Sequence, residues 1–143
     1  MNKLAERLVI AGGIVSLLWG LFHVVAIPQL VTEMVAGAGG GAAPGVAELA
    51  AFILLCNACI TAFLLGIGIV LVVARKSVCQ TLVGKLTLGM LTLFWMVRLI
   101  APYFLLPEGV SLLQYISPLD AVFIVMIALY LVPLLLSKKA LSG

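Results

Sequence analysis

A chain of 143 residues with 65% hydrophobic and only 9% charged residues cannot cover itself for water, since soluble domains carry about 25% charge. The mean hydropathy of +1.36 is spread over long runs, so lipid must solvate most of the surface, and no length remains for a separate soluble catalytic module. The formal charge of +3 sits in small Lys/Arg clusters at the ends of those runs, with no basic stripe interleaved with aromatics, so no nucleic-acid partner is expected.

The first apolar run, 8–27, follows the charged start Lys3-Leu4-Ala5-Glu6-Arg7. It is longer than a signal-peptide core and no small-x-small cleavage site follows, so it reads as a retained helix with Pro28 marking its end. Residues 28–36 have the pattern of a short interfacial helix, with Leu30, Val31, Met34 and Val35 toward lipid. A flexible stretch rich in glycine, with Pro44, leads to the second run.

That second run, 49–73, ends in Ala74-Arg75-Lys76-Ser77, the clearest polar break in the chain. The third, 82–106, carries Lys85, Arg98 and Pro102. The fourth, 119–136, opens on Ser117-Pro118-Leu119-Asp120, an N-cap serine with proline at the first helical position. Each run is too long for a barrel strand and lacks period-two alternation. A single all-α domain over residues 1–143, an integral membrane four-helix bundle, is the consistent reading.

Lys and Arg bias orients it. Lys3, Arg7, Arg75, Lys76, Lys138 and Lys139 fall on one side, whereas the other two connections carry Glu33, Glu48 and Glu108 and no cation. The positive-inside rule then puts both termini in the cytoplasm, and a bacterial inner membrane is the simplest host.

With that topology, four helices each bring a polar residue to the outer half of the bilayer. His23 lies roughly 6 Å, Asn57 about 12 Å and Arg98 about 10–12 Å below the outer ends of their helices, at 1.5 Å per residue. Asp120 lies in the first turn of the fourth helix. Lys85, in the inner half, is close enough to its helix end to snorkel.

An arginine inside a span costs about 2.5–3.5 kcal/mol on insertion scales and usually faces a partner or a wet cavity. Asp120 is the nearest counter-charge for Arg98, although the Ser117 cap also accounts for it. Trp95 precedes Arg98 by three residues, so the indole can lie beside the guanidinium. His23 follows Trp19 by four, on one helix face, and is the only histidine. It could move a proton near neutral pH, or serve as an interfacial His/Trp pair. Asn57 could bind a ligand carbonyl or bridge two helices. Tyr103 and Tyr115 belong to the outer aromatic belt. Trp19, Trp95 and Tyr103 are also flat surfaces for a planar ligand.

Cys56-Asn57-Ala58-Cys59 is formally a C-x-x-C, but it lies inside a span with no group to stabilise a thiolate, and reads as packing. Cys79 has no assigned role. No metal site is expected. Gly12, Ser16 and Gly20 form a small-residue groove for another helix of this chain or of a second copy, the candidate surface for a homo-oligomer or a larger membrane complex.

In length, topology and outer-leaflet polar residues the chain resembles the small bacterial four-helix membrane proteins of the DoxX-like group. Trp19-Gly20-Leu21-Phe22-His23 and Phe94-Trp95-Met96-Val97-Arg98 look like motifs of a family within it. The resemblance implies quinone-coupled redox chemistry and a quinone or another isoprenoid lipid as ligand or cofactor. No catalytic residue follows from it.

Three functions are therefore weighed. In the first, a binding or redox-accessory protein holds a quinone, isoprenoid or other membrane lipid with Arg98, Asn57, Trp95, Trp19 and Tyr103. In the second, an isomerase-like membrane enzyme uses His23 as acid/base with Asp120 as partner. The third is a structural or assembly subunit.

Overall fold

A computed structural model describes residues 3–37, 45–104 and 118–138. These are almost entirely helical, in five helices: α1 (Lys3–Gly37), α2 (Val46–Val73), α3 (Arg75–Gln80), α4 (Leu82–Phe104) and α5 (Pro118–Lys138). The expected cap at Ser117, together with Tyr115, Glu108, Pro44 and Lys139, lies outside the described residues. Four helices, all but α3, are long and apolar enough to cross a membrane. At most a third of any of their most apolar windows is buried within the chain. The remaining surface of leucine, isoleucine, valine and phenylalanine needs lipid around it. Helices answer this demand because each satisfies its own backbone polar groups where no water can.

The first helix differs from expectation. It continues through Pro28 to Gly37 without interruption, about 52 Å of helix at 1.5 Å per residue against a hydrocarbon core of about 30 Å. Proline removes one backbone donor, but the turns on either side of it keep their own hydrogen bonds, so the helix passes through. Beyond Pro28, Gln29 to Ala36 contain no second breaker. The Thr32 hydroxyl donates to the Pro28 carbonyl at 2.9 Å and ties the next turn to the proline. The second helix starts at Val46, three residues earlier than expected.

The chain forms two compact units, residues 13–70 and residues 1–12 with 71–143. The unit of residues 13–70 is an antiparallel pair made from α1 and α2. Close approach is secured by small residues. A Cβ on Gly68 would meet the Leu17 side chain at 2.7 Å and the Gly13 carbonyl at 2.9 Å, and one on Gly20 would meet Leu65 at 2.9 Å. Such gaps let backbones approach and gain dispersion contacts, the main driving force between helices in lipid.

In the other unit α4 and α5 run antiparallel. Tyr103 meets Asp120, Trp95 meets Phe123 and Lys85 meets Ser137 along their length. The six-residue α3 folds back onto the start of α4. There Gly84 lies against the Val78 backbone so tightly that any Cβ would collide with it. The Thr81 hydroxyl accepts from the Gly84 N–H at 3.0 Å, capping α4. The start of α1 joins this unit through Gly12, whose carbonyl accepts from the buried Tyr130 hydroxyl at 2.9 Å.

Gly12, Ser16 and Gly20 are all buried within the chain. Tyr130 lies on Gly12 and Leu64 and Leu65 lie on Gly20. The small-residue groove is thus filled from inside the same chain at both its ends.

Candidate functional site

The polar residues singled out above gather in two clusters, one in each unit. In the α1–α2 pair, the His23 Nδ1 and the Asn57 Oδ1 are 2.7 Å apart. The Asn57 Nδ2 donates to the His23 backbone carbonyl at 3.1 Å. This second bond fixes which way the amide points. A carbonyl oxygen only accepts, so Nδ1 carries the hydrogen. In the neutral ring, Nε2 is then the acceptor nitrogen. His23 is 5% exposed. Trp19 lies beside it, ring centroids 6.0 Å apart, with Phe22 at 5.3 Å from Trp19 and 6.3 Å from His23. The expected shared face of Trp19 and His23 is therefore present. Asn57 bridges two helices and gives both ends of its amide to His23. Thr61, one turn deeper on α2, has a buried hydroxyl with no hydrogen-bond partner among the described residues.

In the α4–α5 pair the centre is Arg98. Its guanidinium carbon lies 5.9 Å from the Phe94 ring, 5.9 Å from the Trp95 ring and 5.6 Å from the Phe123 ring. Trp95 is fully buried, its ring 5.3 Å from Phe94 and 5.6 Å from Phe123. Cation–π contacts contribute about 0.5–2 kcal/mol each according to desolvation, which offsets part of the cost of an arginine in an apolar helix. They leave its N–H donors unused. Among the described residues the half-buried guanidinium has no hydrogen-bond or ion-pair partner, and the buried Trp95 indole N–H has no acceptor.

The expected Arg98–Asp120 ion pair does not form. Asp120 instead accepts from the Tyr103 hydroxyl at 3.0 Å. The reason lies in register: Asp120 stands opposite the end of α4, more than one turn beyond Arg98, while Phe123 comes opposite Trp95 and Arg98. Tyr103 is thus tied to a carboxylate.

An apolar slot of about 250 Å³ runs along α4, lined by Leu93, Met96, Val97, Ile100, Ala101 and Phe104. Arg98 does not line it, but Ala101, three residues on, is its neighbour on the helix surface. The unit thus offers donors without acceptors, aromatic faces and an adjoining apolar slot. Phe94 and Phe123 were not anticipated. Phe94 is four residues before Arg98 and could have been read from helical spacing; Phe123 is on another helix and could not.

Cys56 and Cys59 are exposed free thiols on α2. Among the described residues no group of three metal-ligating side chains comes together. Comparison with known protein families, with curated proteins and with solved structures found no match.

Proposed function

We propose that the protein binds a lipid-like ligand in the membrane, a quinone, an isoprenoid or another lipid, with a hydrogen-bond-accepting head on Arg98. The observation that carries this reading is the Arg98 guanidinium, packed over three rings yet without an acceptor among the described residues. Arg98 is half-buried, and where water is scarce a ligand oxygen is the simplest acceptor for its planar fork of donors. The half-buried Phe94 supplies the aromatic face, backed by the fully buried Trp95 ring. The slot beside Val97 and Ala101 takes the apolar tail.

In this reading the four long helices form a bundle with both termini in the cytoplasm, following the Lys/Arg bias. The bundle lies in a bacterial inner membrane and is akin to the DoxX-like group. A redox-accessory role follows if the ligand is a quinone.

The test is organic extraction of the purified protein, with mass and ultraviolet–visible spectra of the extract. A lipid-like compound recovered in stoichiometric amount from the wild type and depleted at least tenfold from Arg98→Ala supports the proposal. Equal recovery from both sinks it.

A second reading rests on His23. Asn57 holds its ring in one tautomer, the arrangement that acid/base chemistry requires. The protein would then be a membrane enzyme, isomerase-like, with His23 moving the proton and Asn57 positioning it. Substrate turnover abolished by His23→Gln and slowed by Asn57→Leu, with ligand retention intact, would favour this reading.

A further inference from the structure

A second cation on α4 is also without a carboxylate. Lys85, in the first turn of α4, directs its Nζ to the Ser137 carbonyl at 3.4 Å, near the end of α5. Among the described residues it makes no ion pair. Thirteen residues separate Lys85 from Arg98, about 20 Å along the helix, so the two cations mark opposite ends of α4.

Beside Lys85 begins an open groove of about 460 Å³, lined by Leu82, Leu86, Gly89, Met90 and Leu93 of α4 and by Leu134 of α5. Its size falls within the roughly 300–1,000 Å³ of small-molecule sites. The groove exists because Gly89 has no side chain: a Cβ there would meet only Leu134 Cδ2, at 3.9 Å. Its walls are apolar except at the lysine end. Lys85 is thus the one charged side chain that lines the groove.

We propose that this groove is a binding site for an anionic phospholipid, with the phosphate on the Lys85 ammonium and one acyl chain along Gly89 toward Leu93. The charge complementarity selects the occupant. A neutral or zwitterionic lipid would fill the walls equally well but would leave Lys85 without a counter-charge. Basic pockets between membrane helices take anionic head groups for this reason, at about 1 kcal/mol per lysine near the surface. The site is separate from the Arg98 cluster and does not depend on it.

The test is native mass spectrometry of the whole chain in detergent, titrated with phosphatidylglycerol or phosphatidylcholine bearing the same acyl chains. The wild type should retain the anionic lipid about fivefold better, the factor that one lysine supplies. Lys85→Gln should erase the preference, and Lys85→Arg should keep it. Gly89→Leu, which the space around Gly89 accommodates, should weaken retention of both lipids. Helix content by circular dichroism confirms that each variant is folded. Equal retention of the two lipids by the wild type, or a preference that survives Lys85→Gln, overturns the proposal. So does Gly89→Leu holding both lipids as the wild type does. Retention of the unidentified Arg98 ligand should be unchanged in Lys85→Gln, which separates failure here from failure of the reading above.

Discussion

The Tyr103 hydroxyl donates to the Asp120 carboxylate at 3.0 Å, joining the end of α4 to the start of α5. The Asp120 carboxylate is thereby engaged, and the Arg98 guanidinium lies instead over Phe94, Trp95 and Phe123. Tyr103→Phe should therefore loosen the α4–α5 end by about 1–2 kcal/mol, the usual worth of a hydrogen bond to a charged group, while ligand retention by Arg98 persists. Thermal unfolding in detergent and extraction of the same sample measure the two effects separately.

The Tyr130–Gly12 contact is a tighter constraint. A Cβ on Gly12 would come within 2.6 Å of the Tyr130 ring, which is fully buried. Gly12→Val should destabilise the protein by about 1–3 kcal/mol through overpacking. Tyr130→Phe, which loses only the bond to the Gly12 carbonyl, should cost about 1 kcal/mol. A melting-temperature shift no larger for Gly12→Val than for Tyr130→Phe would show that α1 moves aside freely.

Asn57 should matter to stability as well as to His23. Asn57→Leu leaves the buried Nδ1–H of His23 without its acceptor, at a cost of about 1–3 kcal/mol. Nitrogen-15 spectra of the single histidine should show hydrogen on Nδ1 in the wild type at a pH where the ring is neutral. A spectrum with the hydrogen on Nε2 would contradict the assigned geometry.

Cys79 lies in α3, between two membrane-spanning helices. Burial, and next the Glu6 carboxylate, push its thiol above the ordinary range. The folded state therefore favours the protonated thiol. Its contribution to stability is full below the ordinary thiol value of about 8.5 and falls as pH rises through that value toward the raised one. In a background with Cys56→Ala and Cys59→Ala, alkylation of folded protein near pH 8.5 should be slower than of the denatured chain, and Glu6→Gln should speed it. Gly84→Ala, which forces α3 off α4, should speed it further. An alkylation rate equal in folded and denatured protein would rule out the shielded thiol.

Within one helix, the spacing of residues conveyed most of what the structure holds. Trp95 and Arg98, three apart, do lie together, as do Trp19 and His23, four apart. Across helices it conveyed less. Whether Asp120 or Phe123 faces Arg98 depends on the α4–α5 register, which packing along the pair decides and no single residue announces. The small-residue pattern at Gly12 and Gly20 was visible, but its occupants, Tyr130 and Leu65, were not. Pro28 misled because a single proline removes only one donor, and the helix-forming stretch beyond it, Gln29 to Ala36, carries the helix on to Gly37. Helix α3 was hidden in a polar break too short to show periodicity.

The central claim is that Arg98 holds a ligand. Native mass spectrometry of the wild type and Arg98→Gln, purified side by side in the same mild detergent, tests it most directly. The account predicts an adduct of one defined mass on the wild type, at about one per chain, and its loss from an equally folded Arg98→Gln. A wild type free of any adduct, or the same adduct at the same occupancy on both proteins, would contradict it.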